Sequence, residues 1–373
     1  MSGDTKSGES DRRELLAKGT GALVAAGLAG SLASTAAAGA AHAPRRRESS
    51  RHGGPRAVNE IVLETVTGPV RGSDITFAMA HEHLFVDFLG PADPAYMDVK
   101  WSDVTAACVA SVNVLRGQGV NLLVDWTNLG VGRAVLLLRD VSRQTGMKIL
   151  SPTGIYKNLV PPEYATMAID EIADRFYREL TAGVDGTSIR ADWIKIATTE
   201  AGPTKADTRI HRAAARAARR AGATISAHTP FTDATLAVVK TLTSEGFDLR
   251  RFVWGHAQPS PVEDHIKLAK CGAMVEYDAI STNEDTFFHG PTDDGSMLDR
   301  IQAMVNAGFG DRVMVTTDAS VYVNPNIYQY DRHSDYLYGT FAPKLRARIG
   351  EAAANTILRD NVIYAFRKGS RIP

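Results

Sequence analysis

Four histidines, a lysine and an aspartate of this 373-residue chain fall on or at the ends of short apolar, β-branched runs. The first run closes with His81-Glu82-His83. Residues two apart on a strand share a side, so His81 and His83 can present two imidazoles to one metal ion while Glu82 faces away. Lys195 lies inside the run Trp193-Ile194-Lys195-Ile196-Ala197, and further runs end at His228, His256 and Asp318. Neutral imidazoles suit Zn²⁺, Co²⁺ or Mn²⁺, and a carboxylate adds a harder ligand. A lysine on a buried strand is costly while charged, and its amine pKa falls. Lys195 therefore reads as a snorkelling side chain or a Schiff-base nucleophile, although a Schiff base leaves the four histidines unexplained.

Such scattered residues can meet only if the fold brings strand ends together. Strand-like runs fall at 75–80, 121–126, 148–152, 193–197, 224–227, 252–255, 273–277 and 312–316. Helical patterns fall between and after them, at 102–117, 133–145, 162–182, 206–221, 232–246, 261–271, 296–307 and 341–358. Glycines at 117, 146, 222, 246 and 308 mark helix ends. Strand–helix alternation repeated eight times is the pattern of a (β/α)8 TIM barrel, an α/β fold with its active site at the C-terminal ends of the strands. A doubly wound sheet is the competing fold, but Gly130-Val131-Gly132 lacks the third glycine of a dinucleotide turn.

Composition narrows the function classes. The chain has 42 basic and 42 acidic residues, which argues against nucleic-acid binding by bulk charge. Two cysteines, Cys108 and Cys271, are too few for a disulfide scaffold or a cysteine-built zinc module. Residues 1–43 place Arg12-Arg13 before an uncharged Ala/Gly-rich run and resemble a twin-arginine signal peptide, with Ala38, Ala40 or Ala43 before the cut. The run has too many Gly and Ser and too few Leu for a stable membrane anchor, so export to the periplasm or the exterior is expected. Residues 44–57, with five arginines against Glu48, read as a disordered basic linker. The remainder, 58–373, is one domain with 33 basic and 37 acidic residues.

His81-x-His83, Lys195, His228, His256 and Asp318, in this order and on these strands, resemble the phosphotriesterase family of the amidohydrolase superfamily. Val66-Thr67-Gly68-Pro69, Ile194 to Glu200, Ser226-Ala227-His228-Thr229 and Val253-Trp254-Gly255-His256 extend the likeness over most of the domain. The resemblance implies a binuclear centre of two divalent ions, zinc first, with cobalt, manganese or iron as alternatives. It implies that His81, His83 and Asp318 hold the more buried ion and His228 and His256 the more exposed one. Lys195, carboxylated by CO₂ to a carbamate, would bridge both. Two such ions lower the pKa of a shared water and polarise a carbonyl or phosphoryl oxygen, and Asp318 would accept the proton.

The substrate is less sharply marked. Asp278 ends the seventh strand, as the family pattern requires, but Ala279 and Ile280 follow where organophosphate hydrolases carry a relay histidine and lactonases an arginine. The loop after His256 holds no carboxylate until Glu263. Gly154-Ile155-Tyr156 resembles the lactonase branch, which makes Tyr156 a pocket residue; Trp126, Asp278 and Ile280 join it as pocket candidates. The expected substrate is a small-molecule lactone or carboxylic ester, with phosphotriester hydrolysis as a side activity. A true phosphotriesterase with a rebuilt pocket, or a metal-binding barrel without turnover, is the alternative. Softer pocket candidates are Asp87 and Asn128, and the 281–295 loop, with Asp293 and Asp294, reads as a lid. Barrels of the family are often dimers, so a homodimer is among the expected assemblies.

Overall fold

Parallel strands buried on both faces, with helices between them, form a (β/α)8 barrel in the computed structural model, which describes residues 57–281, 293–324 and 334–369. A hairpin of β1 (Val62–Thr65) and β2 (Gly68–Arg71) precedes the barrel. The first two barrel strands are β3 (Phe77–Asp87) and β4 (Val120–Asp125), and the third is interrupted into β5 (Lys148–Leu150) and β6 (Pro152–Thr153). Then come β7 (Trp193–Ala197), β8 (Ile225–His228), β9 (Phe252–Gly255), β10 (Met274–Tyr277) and β11 (Val313–Val315), with the continuation β12 (Ser320–Asn324). Each pairs in parallel with its neighbour, and β12 returns to pair with β3. The helices are α1 (Trp101–Gly117), α2 (Val135–Thr145), α3 (Ile169–Thr181), α4 (Lys205–Ala221), α5 (Thr232–Ser244), α6 (Val262–Lys270) and α7 (Asp294–Asn306). After the last strand follow α8 (Ala342–Ile349), α9 (Glu351–Asn355) and α10 (Asn361–Ala365).

Two apolar layers hold the barrel. Between strands and helices, α4 turns Ala213, Ala214, Ala215, Ala217 and Ala218 inward, and these small side chains let it lie close to the sheet. Its N-terminus is fixed by Thr204, whose hydroxyl accepts from the Asp207 amide. Inside the barrel, Ala78, Leu122, Trp126, Trp193, Val253 and Met314 pack together, and Val362, Ile363 and Phe366 close the N-terminal end beneath them.

Several expected boundaries move. Strand β3 runs on to Asp87, so His81 and His83 lie within it rather than closing it. The helix expected over 162–182 begins only at Ile169, where the Glu171 carboxylate accepts from the Ala168 amide; Pro162–Tyr164 makes a separate 3-10 turn. The helix expected over 341–358 breaks at Gly350, where φ is 84°. Helix α1 continues through Gly117, and the chain turns at Gly119 with φ 86°. Residues 1–43, expected as a signal, 44–56, expected as a linker, and 282–292, expected as part of a lid, lie outside the described residues. The two described aspartates of that lid have structural work instead: Asp293 caps α7 through the Ser296 amide, and Asp294 accepts from the Tyr336 hydroxyl. Among the described residues no helix is long and apolar enough to cross a membrane.

First and last strands are clasped by one carboxylate. Glu82 does face away from His81 and His83, but into protein: it is fully buried and accepts from the hydroxyls of Thr316 and Thr317 at 2.8 and 2.7 Å and from the Ala319 amide at 2.9 Å. Burial pushes this carboxyl up to about 7 against the pull of those hydrogen bonds. Glu82→Ala takes the acceptor from the Ala319 amide and from the Thr316 hydroxyl in a dry seam. It should lower unfolding free energy by about 3 kcal/mol. Denaturant titration of the variant with an unchanged m-value checks this.

Candidate metal centre

The barrel gathers all six expected residues at one mouth. His83, Lys195, His228, His256 and Asp318 line a cavity of about 60 Å³, together with Val86, Phe88 and Tyr156. His81 reaches the same point from behind, with Nε2 3.2 Å from Asp318 Oδ1, and His83 Nε2 lies 3.4 Å from that oxygen. His228 Nδ1 and His256 Nε2 meet at 2.7 Å. Two groups of donors therefore converge, one of three and one of two, with Lys195 beside them.

Backbone geometry explains how these side chains point inward. Alternation along β3 puts His81 and His83 on the pocket side. His256 and Asp318 each take a left-handed conformation, with φ 62° and 48°, which costs a non-glycine residue of order 1 kcal/mol. Hydrogen bonds hold both turns: the His256 amide donates to Asp278 Oδ2 at 2.7 Å, and the Asp318 amide to the His81 carbonyl at 3.1 Å. The strand carrying Lys195 is approached so closely that a Cβ on Gly154 would stand 1.9 Å from the Lys195 carbonyl oxygen. On the other side the Asn128 amide donates to that carbonyl.

Burial dominates the electrostatics of the site. Burial holds the imidazoles of His81 and His228 well below their usual range, so both are neutral and have ring lone pairs to give. Burial, reinforced by the neighbouring Asp278, pushes the Asp318 carboxyl well above the carboxylate range. Lys195, almost fully buried, falls to about 8 through burial, against the pull of Asp318 and Asp125. Neither ring nitrogen of His81 has a hydrogen-bond partner. Buried, neutral, unpartnered nitrogens facing a carboxylate fit a divalent cation, whose charge would return Asp318 to its ionised form.

Three of the four pocket candidates belong behind the centre. Trp126 is fully buried, stacks on His81 with ring centroids 3.6 Å apart and donates its indole N–H to the Ala80 carbonyl. Asp278 is fully buried, with Oδ2 3.0 Å from His256 Nδ1 and 3.5 Å from His81 Nδ1. Burial raises its carboxyl, but the His256 and His81 imidazoles outweigh that and hold it well below the usual range. Ile280 is likewise buried in the wall. Only Tyr156 stays at the mouth, with its ring edge-on to His228 at 5.4 Å. Asp87 is also no pocket residue: it accepts from the amides of Leu89 and Met97 and shapes the loop.

Sequence reasoning passed over two ionisable groups. Glu276, fully buried on β10, has no hydrogen bond to either oxygen and lies 3.5 Å from His81 Nδ1; its period-two spacing from Asp278 was the available signal. Lys157 Nζ stands 2.7 Å from His228 Nε2. A larger apolar groove of about 550 Å³ lies elsewhere, by Trp101, Leu129 and Leu136, and its charged lining residues are already paired, Arg133 with Glu179 and Asp185 and Asp140 with Arg139.

Known proteins resemble this arrangement along nearly the whole barrel. A profile of the phosphotriesterase family matches residues 61–366. The phosphotriesterase homology protein of Escherichia coli K12 is 32% identical over 298 residues, which cover 78% of this chain and 98% of that one. An aryldialkylphosphatase of Saccharolobus solfataricus is 28% identical over 80% of this chain and 91% of its own length. A mutant PTE-like lactonase of Deinococcus radiodurans superposes with a TM-score of 0.74 at 28% identity, covering 82% of this chain and 99% of that structure.

The carboxylate behind the two histidines gives a direct test. Asp278→Asn removes the negative charge beside His256 and His81 and one of two acceptor oxygens, and should weaken divalent-ion binding by about 10- to 100-fold. The chelator concentration needed to remove half the metal measures it.

Proposed function

This chain is a hydrolase of the phosphotriesterase family, a generally binuclear-metal-dependent family, and we propose that it cleaves a lactone or other carboxylic ester. One observation carries the reading: the 2.7 Å approach of His228 Nδ1 and His256 Nε2 beside the cluster of His81, His83 and Asp318, all at one mouth with Lys195. His81, His83 and Asp318 would hold one ion, and His228 and His256 the other. Lys195, whose lowered pKa favours the neutral amine that reacts with CO₂, would join them as a carbamate. Two divalent ions there, zinc first among the choices, would supply an acidified water and polarise the substrate's carbonyl oxygen.

The protein's own part is proton transfer and positioning. Asp318, whose side chain is 11% exposed, takes the proton of the attacking water on the cavity side. Ester attack then expels an alkoxide, a poor leaving group; Asp318 can return the same proton to it, and the water's second proton leaves on the product carboxylic acid. A triester that expels a stable phenolate does not take that proton back, so it must be carried to solvent. Here Ala279 is buried and apolar, and Gln258 donates its amide to Asp278 Oδ1 at 2.9 Å. Neither can carry a proton outward. That favours the ester, and Tyr156 at the mouth is placed to border it. The aryldialkylphosphatase relative supports the second reading, a phosphotriesterase with a rebuilt pocket. We also propose export through a twin-arginine-type signal in residues 1–43.

Metal analysis of the purified protein should give close to two ions per chain. Chelation should abolish turnover and metal should restore it. Asp318→Asn and His81→Ala should each lower kcat by at least about a hundredfold while the fold is kept. Across γ- and δ-lactones, aryl esters and paraoxon-like triesters, kcat/KM should be highest for a lactone or ester. A triester at the top selects the second reading, and a folded, metal-replete protein inert to the whole panel overturns both. Intact mass of exported protein should begin at residue 39, 41 or 44; a full-length exported chain would remove the signal.

A further inference from the structure

Among the described residues, Lys157 is a basic group at the mouth that the proposed chemistry does not use. It follows Tyr156 on the loop leaving the third barrel strand, a segment anchored by the Tyr156 amide on the Leu129 carbonyl at 3.0 Å. The chain turns immediately afterwards, at Asn158 with φ 58°. Lys157 is half-buried, and its amine contacts His228 Nε2 at 2.7 Å and lies 5.8 Å from the Tyr156 ring centre. Among the described residues no carboxylate stands within ion-pair distance of it. The acids that act on it are more distant: Glu200, which is exposed, and Asp207, whose carboxylate is engaged by Thr204.

The ring of His228 decides what this amine can do. Nδ1 faces His256 Nε2, so Nδ1 is the nitrogen directed at the proposed metal position and Nε2 the one directed at Lys157. An imidazole that gives its Nδ1 lone pair to a cation carries its proton on Nε2. An ammonium group and an N–H are both donors and cannot satisfy one another. Lys157, lowered by burial to about 8 and so still largely protonated near neutral pH, would then have no acceptor among the described residues, one imidazole ring away from where the substrate's reacting carbonyl would lie. Charge-assisted hydrogen bonds to a carboxylate are the interaction that completes such a group.

We propose that Lys157 is a specificity-determining residue that binds an anionic group of the substrate, so that the preferred substrate is an ester or lactone bearing a carboxylate or similar anion a few bonds from the scissile carbonyl. The inference rests on the ester-hydrolase reading. A competing role for Lys157 is purely to position His228, and the two roles differ in what a neutral substrate feels.

The matched probes are 5-oxotetrahydrofuran-2-carboxylate and its methyl ester, which share a lactone and differ in one charge. Lys157→Met should lower kcat/KM for the carboxylate about tenfold or more beyond any loss on the methyl ester. Lys157→Glu should reverse the preference. Equal losses on both probes, or no change on either, overturn the proposal. Metal content of each variant is measured alongside, and loss of one ion per chain in Lys157→Met assigns the lysine to His228 and overturns it too. Should the wild-type enzyme open neither lactone, the ester reading fails separately, and calorimetry decides the inference. Glutarate should then bind the metal-loaded wild type more tightly than monomethyl glutarate does, and Lys157→Met should remove at least about tenfold of that advantage. Equal affinities in the wild type, or an advantage untouched by the substitution, overturn it.

Discussion

Burying many ionisable groups at one point is the constraint from which the rest of this structure follows. His81, His256, Lys195, Glu276 and Asp278 are within about one per cent of full burial, and Asp318 and His83 are barely exposed. Transferring charge from water into protein costs several kcal/mol per group unless it is paired, so these groups must neutralise or pair. They do both: the His81 imidazole loses its proton, Asp318 and Glu276 are driven toward their acid forms, and Asp278 stays ionised beside two histidines. The result is a set of neutral nitrogen donors and an ionisable oxygen around a small cavity. Divalent cations would relieve that arrangement.

Holding such donors in place consumes much of the surrounding fold. His256 and Asp318 stand in left-handed backbone, and both sit at strand ends where neighbouring strands can hold the turn by hydrogen bonds. Trp126 stacks behind His81 and is itself tied to the Ala80 carbonyl, so the ring cannot rotate away without disturbing the barrel interior. The Glu82 clasp fixes β3 against the segment that carries Asp318, which sets the separation of His81 and Asp318. Strain at two functional residues is thus offset by ordinary packing and hydrogen bonds one layer behind them.

The barrel and its six central residues were legible because both leave periodic marks. Strand runs of fixed length recur, and His81, Lys195, His228, His256 and Asp318 fall at matching places in them. What was not legible depends on which side of a strand end a residue faces, and that is a three-dimensional fact. Trp126, Asp278 and Ile280 follow or end strands just as Tyr156 does, yet the barrel turns them inward and leaves Tyr156 at the mouth. Lys157 had no motif to announce it, since a lysine in a loop is usually solvated. Glu276 sat in an apolar run, two residues before Asp278, and only the interior shows that its oxygens meet no donor.

Separate layers of the barrel now carry separate functions. The candidate metal donors come from strands and strand ends, where burial fixes them. The residues that would choose a substrate come from loops after strands three, six and seven, where Tyr156, Lys157, Gln258 and Ala279 lie. Gln258 matters most for the choice of reaction. Its amide occupies Asp278 Oδ1, while His256 and its own amide N–H occupy Oδ2, so Asp278 has no free oxygen with which to pass a proton. Asp318 must then recycle its proton within one turnover or release it directly to water through the mouth. Recycling suits a leaving group that needs the proton, as an alkoxide does and a phenolate does not. A ring-opened lactone keeps that alkoxide tethered beside Asp318, which makes proton return intramolecular and raises the effective concentration of the two partners. On the proposed reading, the missing relay would disfavour triester hydrolysis more than ester hydrolysis, because only the phenolate leaves its proton behind on Asp318.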